Sequence, residues 1–198
     1  MVKERYFDKV SKNYDFYTKI LMLGTYDRVR DRIIKPGNTD EQRALDLCCG
    51  TGYLTGGIKA EQVVGLDLSQ GMLKFNKQKN REPSLLRGDA FNLPFAGDGF
   101  DSVYCSLATH EFRDILPILT EAHRVLRDGG KLIIFDIFKP SFPLSWFFIM
   151  FLVKYLAELG RMWVYTQNEW ESMLRSVGFK EVRIDVLYTT AVLIRAVK

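Results

Sequence analysis

The sequence predicts an α/β protein built on a doubly wound, mostly parallel, seven-stranded sheet with a final antiparallel strand and helices on both faces. Three observations carry this. Short apolar runs and helical patterns alternate five times between Arg43 and Phe138. Unbroken apolar strands joined by helical crossovers belong to parallel sheets covered on both sides. The chain then closes with "EVRIDVLYTT" and "AVLIRAVK", two strand-like runs with no crossover helix between them, hence an antiparallel pair.

The elements follow in order. Residues 4–34 read as helical, because Tyr6, Val10, Tyr14, Tyr17, Ile20, Leu21 and Met22 recur at helical spacing. Gly24 divides them into two helices, a cap spanning residues 1–35. "IKPGNTDEQ" is a loop. "RALDLC" is a short apolar strand, "YLTGGIKA" a short helix after it, and "QVVGLDL" a second buried strand. Ser69 is placed to cap a helix running to about Asn80. "PSLLRGDA" and "FDSVYCSLA" are the third and fourth strands, separated by the turn-rich "NLPFAGDGF". A helix over 114–127 stops at "DGG", a glycine C-terminal signal, and "KLIIFDIF" is the fifth strand. Residues 140–162 form an apolar helical insertion, and "TQNEWESMLRSVGF" one more helix, opened by Thr166 and closed by Gly178.

With 198 residues the chain is long enough for one domain with a sizeable core, and no repeat, low-complexity segment or second-domain linker divides 1–198. The net charge of +4 comes from 28 basic and 24 acidic residues spread along the chain. A dedicated nucleic-acid binder would cluster its basic residues on one face, so no nucleic-acid partner is expected. The N-terminal "MVKERYFDKVSKNYD" lacks the apolar centre of a signal peptide. Three cysteines, two of them adjacent, cannot make a disulfide framework, and a reducing, cytoplasmic setting is the default. "WFFIMFLV", Trp146 to Val153, is unbroken apolar sequence but far shorter than the roughly 20 residues that span a bilayer.

In doubly wound sheets the ligand sits at the carboxyl ends of the strands, near the switch point. "CCGTG" stands there, where Gly50 and Gly52 permit a tight turn and a close backbone approach. Asp67, at the end of the second strand, suits a carboxylate that accepts hydrogen bonds from ribose hydroxyls. The full G-x-G-x-x-G pattern is missing, since Cys48 takes the place of its first glycine and Leu54 or Thr55 lies near its third. That weakens a pyrophosphate site and favours a nucleoside ligand. Cys48 and Cys49 are adjacent on a strand end and point to opposite faces, and no Cys-x-x-Cys or histidine cluster completes a zinc site. No metal is expected.

Four segments then resemble the class I S-adenosylmethionine-dependent methyltransferases, nearest the branch that includes ubiquinone/menaquinone-biosynthesis C-methyltransferases. They are "DLCCGTGYL", "VVGLDLSQGML", "GDAFNLPFAGDGFDSV" and "EAHRVLRDGGKLIIFD", in order and at suitable spacing over residues 5–138. The resemblance implies a Rossmann-like methyltransferase fold with S-adenosylmethionine as cofactor and S-adenosylhomocysteine as product. It implies that Gly50 and Gly52 lie against the methionine part, with Asp46 anchoring that region and Cys48 where a glycine is usual. Asp67 would bind the ribose, Leu68 and Met72 would flank adenine, and Asp89, beside Ala90, would accept from its amino group. Ser106 and Leu107 would border the sulfonium, and Tyr14 would close the pocket. Each position also has a plainer reading: Asp46 and Asp67 as helix caps, Asp89 as a turn former, Met72 as core.

Methyl transfer from a sulfonium needs in-line alignment in a dry pocket, and a base only where the acceptor must lose a proton. His110, in "LATHEF" just beyond the fourth strand, is the candidate base, with Glu111 as its neighbour and Asp136 on the same edge. His110 also reads as a polar residue opening a helix, and His123 as structural. "CSLATH" stands where base-modifying amino-methyltransferases carry an Asn/Asp-Pro-Pro-aromatic motif. The expected acceptor is a small apolar or aromatic molecule, quinone-like or lipid-like. Phe142, Trp146, Phe147, Phe148, Phe151 and Tyr155 read either as a lid over it, met at a membrane surface, or as a helix packed on the sheet or on a second copy in a homodimer. The alternatives are a nicotinamide-dependent oxidoreductase and a non-catalytic nucleoside-binding protein on the same fold.

Overall fold

The computed structural model describes residues 2–21, 26–34, 41–137, 163–187 and 191–198. The insertion at 140–162, with its six aromatic residues, and Gly24 lie outside the described residues.

Three helices open the chain: α1 (Val2–Val10), α2 (Tyr14–Leu21) and α3 (Tyr26–Ile34). The helical pattern over 4–34 therefore has a break that the periodicity hid. Ser11 causes it. Its hydroxyl bonds back to the Asp8 carbonyl at 2.9 Å, and the Asn13 amide closes a tight turn onto Val10 at 3.0 Å. Such local side-chain bonds compete with the helix ladder.

Strands β1 (Arg43–Leu47), β2 (Gln62–Asp67), β3 (Ser84–Arg87), β4 (Phe100–Ser106), β5 (Leu126–Ile137), β6 (Lys180–Leu187) and β7 (Ala191–Val197) form one sheet, in the order β3-β2-β1-β4-β5-β7-β6. The pairs β1–β2, β1–β4, β2–β3 and β4–β5 are parallel, and β7 runs antiparallel to both β5 and β6. The doubly wound sheet expected from the sequence is thus present, and its order reverses between β1 and β4. Ala44, Leu45, Asp46 and Leu47 are all buried, as a central strand covered on both faces requires. Asp101 fixes the start of β1 by accepting from the Gln42 amide at 2.9 Å and the Arg43 amide at 2.6 Å.

Helices cover both faces. On one, α5 (Leu116–Val125) and α6 (Gln167–Val177) bury Leu119, Val125, Trp170 and Leu174 against Leu45, Val103 and Ile194. On the other, Val29 and Ile33 of α3 meet Leu54, Tyr104, Ile133 and Phe135. Helix α4 (Gln70–Lys79) follows β2 and starts as expected at Ser69, whose hydroxyl accepts from the Met72 amide at 3.1 Å. Helix α6 also starts and stops as expected. Thr166 and Glu169 form a reciprocal capping box, and Gly178 ends the helix at φ 111°.

Two expectations are corrected. "YLTGGIKA" makes a single turn, with the Gly57 and Ile58 amides on the Leu54 carbonyl, not a helix. Gly56 and Gly57 disfavour helix there. They serve close packing instead, because a Cβ on Gly56 would stand 1.9 Å from Asn80 Oδ1 and one on Gly57 2.5 Å from Ile34 Cδ1. "DGG" does not cap α5. The helix ends at Val125, Leu126 is already extended and pairs with Phe100, and Gly129 turns at φ 73° inside an irregular start to β5. Among the described residues no helix is long and apolar enough to cross a membrane.

The capping box is separable from the ligand edge of the sheet. Replacing Thr166 by Ala removes its side-chain half, and urea denaturation should show a loss of about 1 kcal/mol at unchanged m-value.

Candidate functional site

A cavity of about 440 Å³ opens at the carboxyl ends of β1, β2 and β4, where the strand order reverses. Ligands of doubly wound sheets bind at this switch point. The wall includes Tyr14, Cys48, Gly50, Asp67, Leu68, Met72, Asp89, Ala90, Ser106 and Leu107, ten of the residues expected from the sequence.

The loop after β1 forms the floor. The Cys49 amide donates to the Leu66 carbonyl and the Gly52 amide to the Cys49 carbonyl, which pins the turn to the next strand. Cys48 adopts φ 56° and Gly50 φ 50°, both in the left-handed region. At Gly50 a Cβ would meet nothing within 4 Å, so its absence leaves open space beside the backbone. Cys48 takes the same conformation with a side chain, which costs roughly 1–2 kcal/mol. Its thiol hydrogen-bonds to Cys105, and that bond together with burial holds its pKa well above the ordinary value. Burial does the same for Cys49. All three cysteines are free thiols. Among the described residues no group of three His, Cys, Asp or Glu side chains could hold a metal ion.

Asp67 closes the floor. One carboxylate oxygen accepts from the Gly50 amide at 2.8 Å, and the other from the Ser69 amide at 2.8 Å. Burial raises its pKa, against the pull of these amides. The Leu68 amide also pulls on this carboxylate, and its remaining lone-pair capacity is open to a ligand hydroxyl. Leu68, Met72, Ala90 and Phe91 form an apolar slot on either side, and Asp89 is set by accepting from the Phe91 amide at 3.0 Å. Ser106 Oγ lies buried at the wall with no hydrogen-bond partner among the described residues. An orphaned hydroxyl, open backbone at Gly50 and a carboxylate with acceptor capacity to spare together fit a polar nucleoside-bearing ligand.

Three expected residues stand behind the wall. Asp46 is buried and accepts from Thr55 Oγ1 at 2.5 Å, while Thr55 accepts from Asn76 at 3.0 Å. It braces the loop against α4. Burial pushes its pKa up to about 7, and the nearby Asp67 charge adds to this. Gly52 faces α4 as well, since a Cβ there would lie 2.4 Å from Asn76 Oδ1. His110 sits on a short 3-10 turn (Thr109–Glu111) and is buried, with Nδ1 2.6 Å from Asp136 and Nε2 3.4 Å from Glu111. Burial alone would depress its pKa, but the two carboxylates outweigh it and raise it to about 10. A histidine so held is already protonated and has no free nitrogen toward the cavity. Glu111 is the neighbour on the wall.

The N-terminal helices complete the enclosure through contacts the sequence reading missed. Asp8 of α1 accepts from Ser69 Oγ at 2.6 Å and the Gly71 amide at 2.8 Å. Asp15 of α2 accepts from Thr51 and pairs with Lys79. Phe7 and Tyr14 thereby reach the wall, where Phe91 and Phe112 meet edge to face at 5.4 Å. The signal was present as an aromatic-aspartate pair repeated at Phe7-Asp8 and Tyr14-Asp15, one heptad apart.

Known proteins resemble the chain in both sequence and fold. The model of the ubiE/COQ5 methyltransferase family matches residues 2–178. A demethylmenaquinone methyltransferase of Bacillus velezensis is 30% identical over 192 residues, covering 89% of this chain and 82% of its own length. A Thermotoga maritima SAM-dependent methyltransferase, described as a possible histamine N-methyltransferase, superposes with TM-score 0.80 at 20% identity over 97% of this chain and 98% of its own. Phosphoethanolamine N-methyltransferase 2 of Haemonchus contortus, solved with S-adenosylmethionine, gives TM-score 0.71 at 17% identity over 86% of this chain and 52% of its own. These likenesses set aside the nicotinamide and non-catalytic alternatives.

Two outcomes follow from the site. Asp46 binds its proton more tightly folded, near 7, than unfolded, near 3.8. Between those values the folded state holds more protons, so this group lowers stability as pH rises and contributes nothing further above about 7. Melting temperature from pH 4 to 8 should therefore fall less steeply in D46N than in the parent. A Cβ on Gly71 would lie 2.9 Å from the Asp8 backbone. G71A should push α1 away and weaken S-adenosylhomocysteine about tenfold by calorimetry, roughly 1.4 kcal/mol.

Proposed function

Because the chain belongs to the ubiE/COQ5 methyltransferase family, we propose that its acceptor is a small, apolar or aromatic, quinone-like molecule. The chain is an S-adenosylmethionine-dependent methyltransferase. The observation that carries the acceptor reading is the make-up of the wall. Beyond the floor it is built mostly from Phe7, Tyr14, Leu107, Ala108 and Phe112, with Thr18 and Glu111 as its polar members, and no Lys or Arg lines it among the described residues. A phosphorylated or carboxylated acceptor would find no counter-charge there, while a neutral ring finds apolar surface on several sides. The demethylmenaquinone methyltransferases among the relatives support the same class.

Bound S-adenosylmethionine supplies a methyl group already activated on a cationic sulfur. Asp67 would take the ribose hydroxyls, Leu68, Met72 and Ala90 would enclose the adenine, and Asp89 would mark its polar edge. The left-handed loop at Cys48 to Gly50 and the hydroxyl of Ser106 would border the methionine end. Tyr14 and Phe7, held by Asp15 and Asp8, exclude water from the same space. Alignment in such a dry pocket is the main contribution the protein makes to transfer from a sulfonium. The proposed setting is cytoplasmic, with peripheral contact at the membrane that dissolves a quinone-like acceptor. The unbroken apolar run at 146–153, read as a lid, supports that contact; read as a helix packed on the sheet or on a second copy, it does not.

The test is turnover on a short-chain demethylmenaquinol kept reduced with dithionite, followed by mass spectrometry for one added methyl group. Methylation of this acceptor in preference to catechols and biogenic amines is expected. Methylation of an amine but not of the quinol would overturn the acceptor class. D67A should abolish turnover and weaken S-adenosylhomocysteine about a hundredfold or more, roughly 2.7 kcal/mol.

A further inference from the structure

We propose that Glu111 is the catalytic residue that takes the acceptor's proton, and that His110 is a positioning residue that aims it. The inference rests on the acceptor reading above and assigns the acid-base chemistry within it. Glu111 lines the cavity on the turn just beyond β4, beside Ala108 and Phe112, whereas the other two carboxylates of the wall, Asp67 and Asp89, end β2 and follow β3, at the proposed nucleoside end. A carboxylate at the β4 end faces the place where an acceptor must meet the methyl group.

The support behind Glu111 is built for orientation. Asp136 is fully buried, and its carboxylate accepts from Thr109 Oγ1, the His110 amide and the Ile137 amide. It also holds His110 Nδ1 at 2.6 Å. The ring is thereby locked with Nε2 toward Glu111 Oε1 at 3.4 Å. The turn itself is fixed, because the His110 carbonyl accepts from the Trp163 amide at 2.8 Å and the Glu111 amide donates to the Ala108 carbonyl at 3.0 Å. Carboxylate, imidazolium and carboxylate thus run from the core to the wall. An isolated buried imidazolium would be costly, and pairing with Asp136 and Glu111 offsets part of that cost.

The step balances for a hydroxylated aromatic ring. Glu111 takes the O–H proton as the ring carbon's electron pair forms the bond to the methyl group. The carbon–sulfur bond breaks with its pair going to sulfur, which leaves as a neutral thioether. The methylated ring carbon then gives its hydrogen to water while Glu111 returns a proton to the oxygen. The net yield is a methylated acceptor, a thioether and one proton. General-base help of this kind contributes about 10²–10⁴-fold.

The experiment compares wild type, E111Q, E111D and H110Q on two acceptors, the reduced demethylmenaquinol and a nitronaphthol that is already ionised at neutral pH. S-adenosylhomocysteine affinity and melting temperature confirm folding. On the quinol, E111Q should lower kcat about a hundredfold with KM changed less than about threefold, E111D should recover part, and H110Q should lower kcat about tenfold at unchanged KM. On the ionised naphthol, which has no O–H proton to lose and which the Glu111 carboxylate repels, the E111Q loss in kcat should shrink to about fivefold or less and KM should fall. A loss of equal size on both acceptors, or E111Q keeping more than about a third of kcat on the quinol, overturns the assignment while the acceptor class stands. If H110Q unfolds, the two Glu111 variants decide alone. If wild type methylates neither ring, the acceptor reading fails first and this inference falls with it.

Discussion

The carboxylate of Asp67 is the tie on which the rest of the site depends. Through two 2.8 Å bonds it joins the Gly50 amide of the loop after β1 to the Ser69 amide that opens α4. Parallel strands bring those two turns side by side, and only an acceptor-only group of this length can bridge their converging N–H donors. The loop that presents the Gly50 amide to Asp67 is left-handed at Cys48, φ 56°, and again at Gly50, φ 50°. The amides offset part of the cost of burying the carboxylate. A single side chain thereby fixes the floor and the helix start together.

The same logic extends outward to the N-terminal helices. Ser69 caps α4 through its hydroxyl and at the same time donates to Asp8. Asp8 in turn takes the Gly71 amide, so two side chains serve the N-terminal end of one helix, where a negative charge is favoured. Those bonds hold the Asp8 carboxyl below the usual range. The Asp15 pair with Lys79 is more exposed, and an ion pair of that kind contributes little on its own. What anchors α2 is the same carboxylate's bond to Thr51 in the floor. The loop after β1, the start of α4 and the N-terminal helices are therefore one hydrogen-bonded unit.

Much of this was legible in the sequence, and the failures have physical causes. Apolar strand runs, the caps at Ser69 and Thr166, and the acidic strand end at Asp67 are local signals, and each element stands where it was expected. The helix expected after β1 failed because Gly56 and Gly57 are there for tertiary packing, which no local pattern shows. The break at Ser11 failed because a single side-chain bond overrode a sound helical period. Asp46 and Gly52 have the right motif positions but turn toward Thr55 and Asn76 rather than the cavity. Sequence spacing places a residue at a strand end. It does not say which side of the loop the side chain will take.

His110 and Glu111 make the same point at the chemistry itself. Sequence reasoning favours the histidine, since its free pKa is closest to neutrality. Yet adjacent residues on a 3-10 turn point about a third of a circle apart, so only one of the two can face the cavity. The buried Asp136 decides which. Once its carboxylate is sealed in the core, it needs a cationic partner, and His110 is the group within reach at 2.6 Å. Turning that ring inward delivers the next residue, Glu111, to the wall. The cavity that results has carboxylates at the β2 and β3 ends, a carboxylate beyond β4, and no cation among its described lining residues. That charge pattern welcomes a positively charged sulfur and a neutral ring, and it disfavours an anionic acceptor.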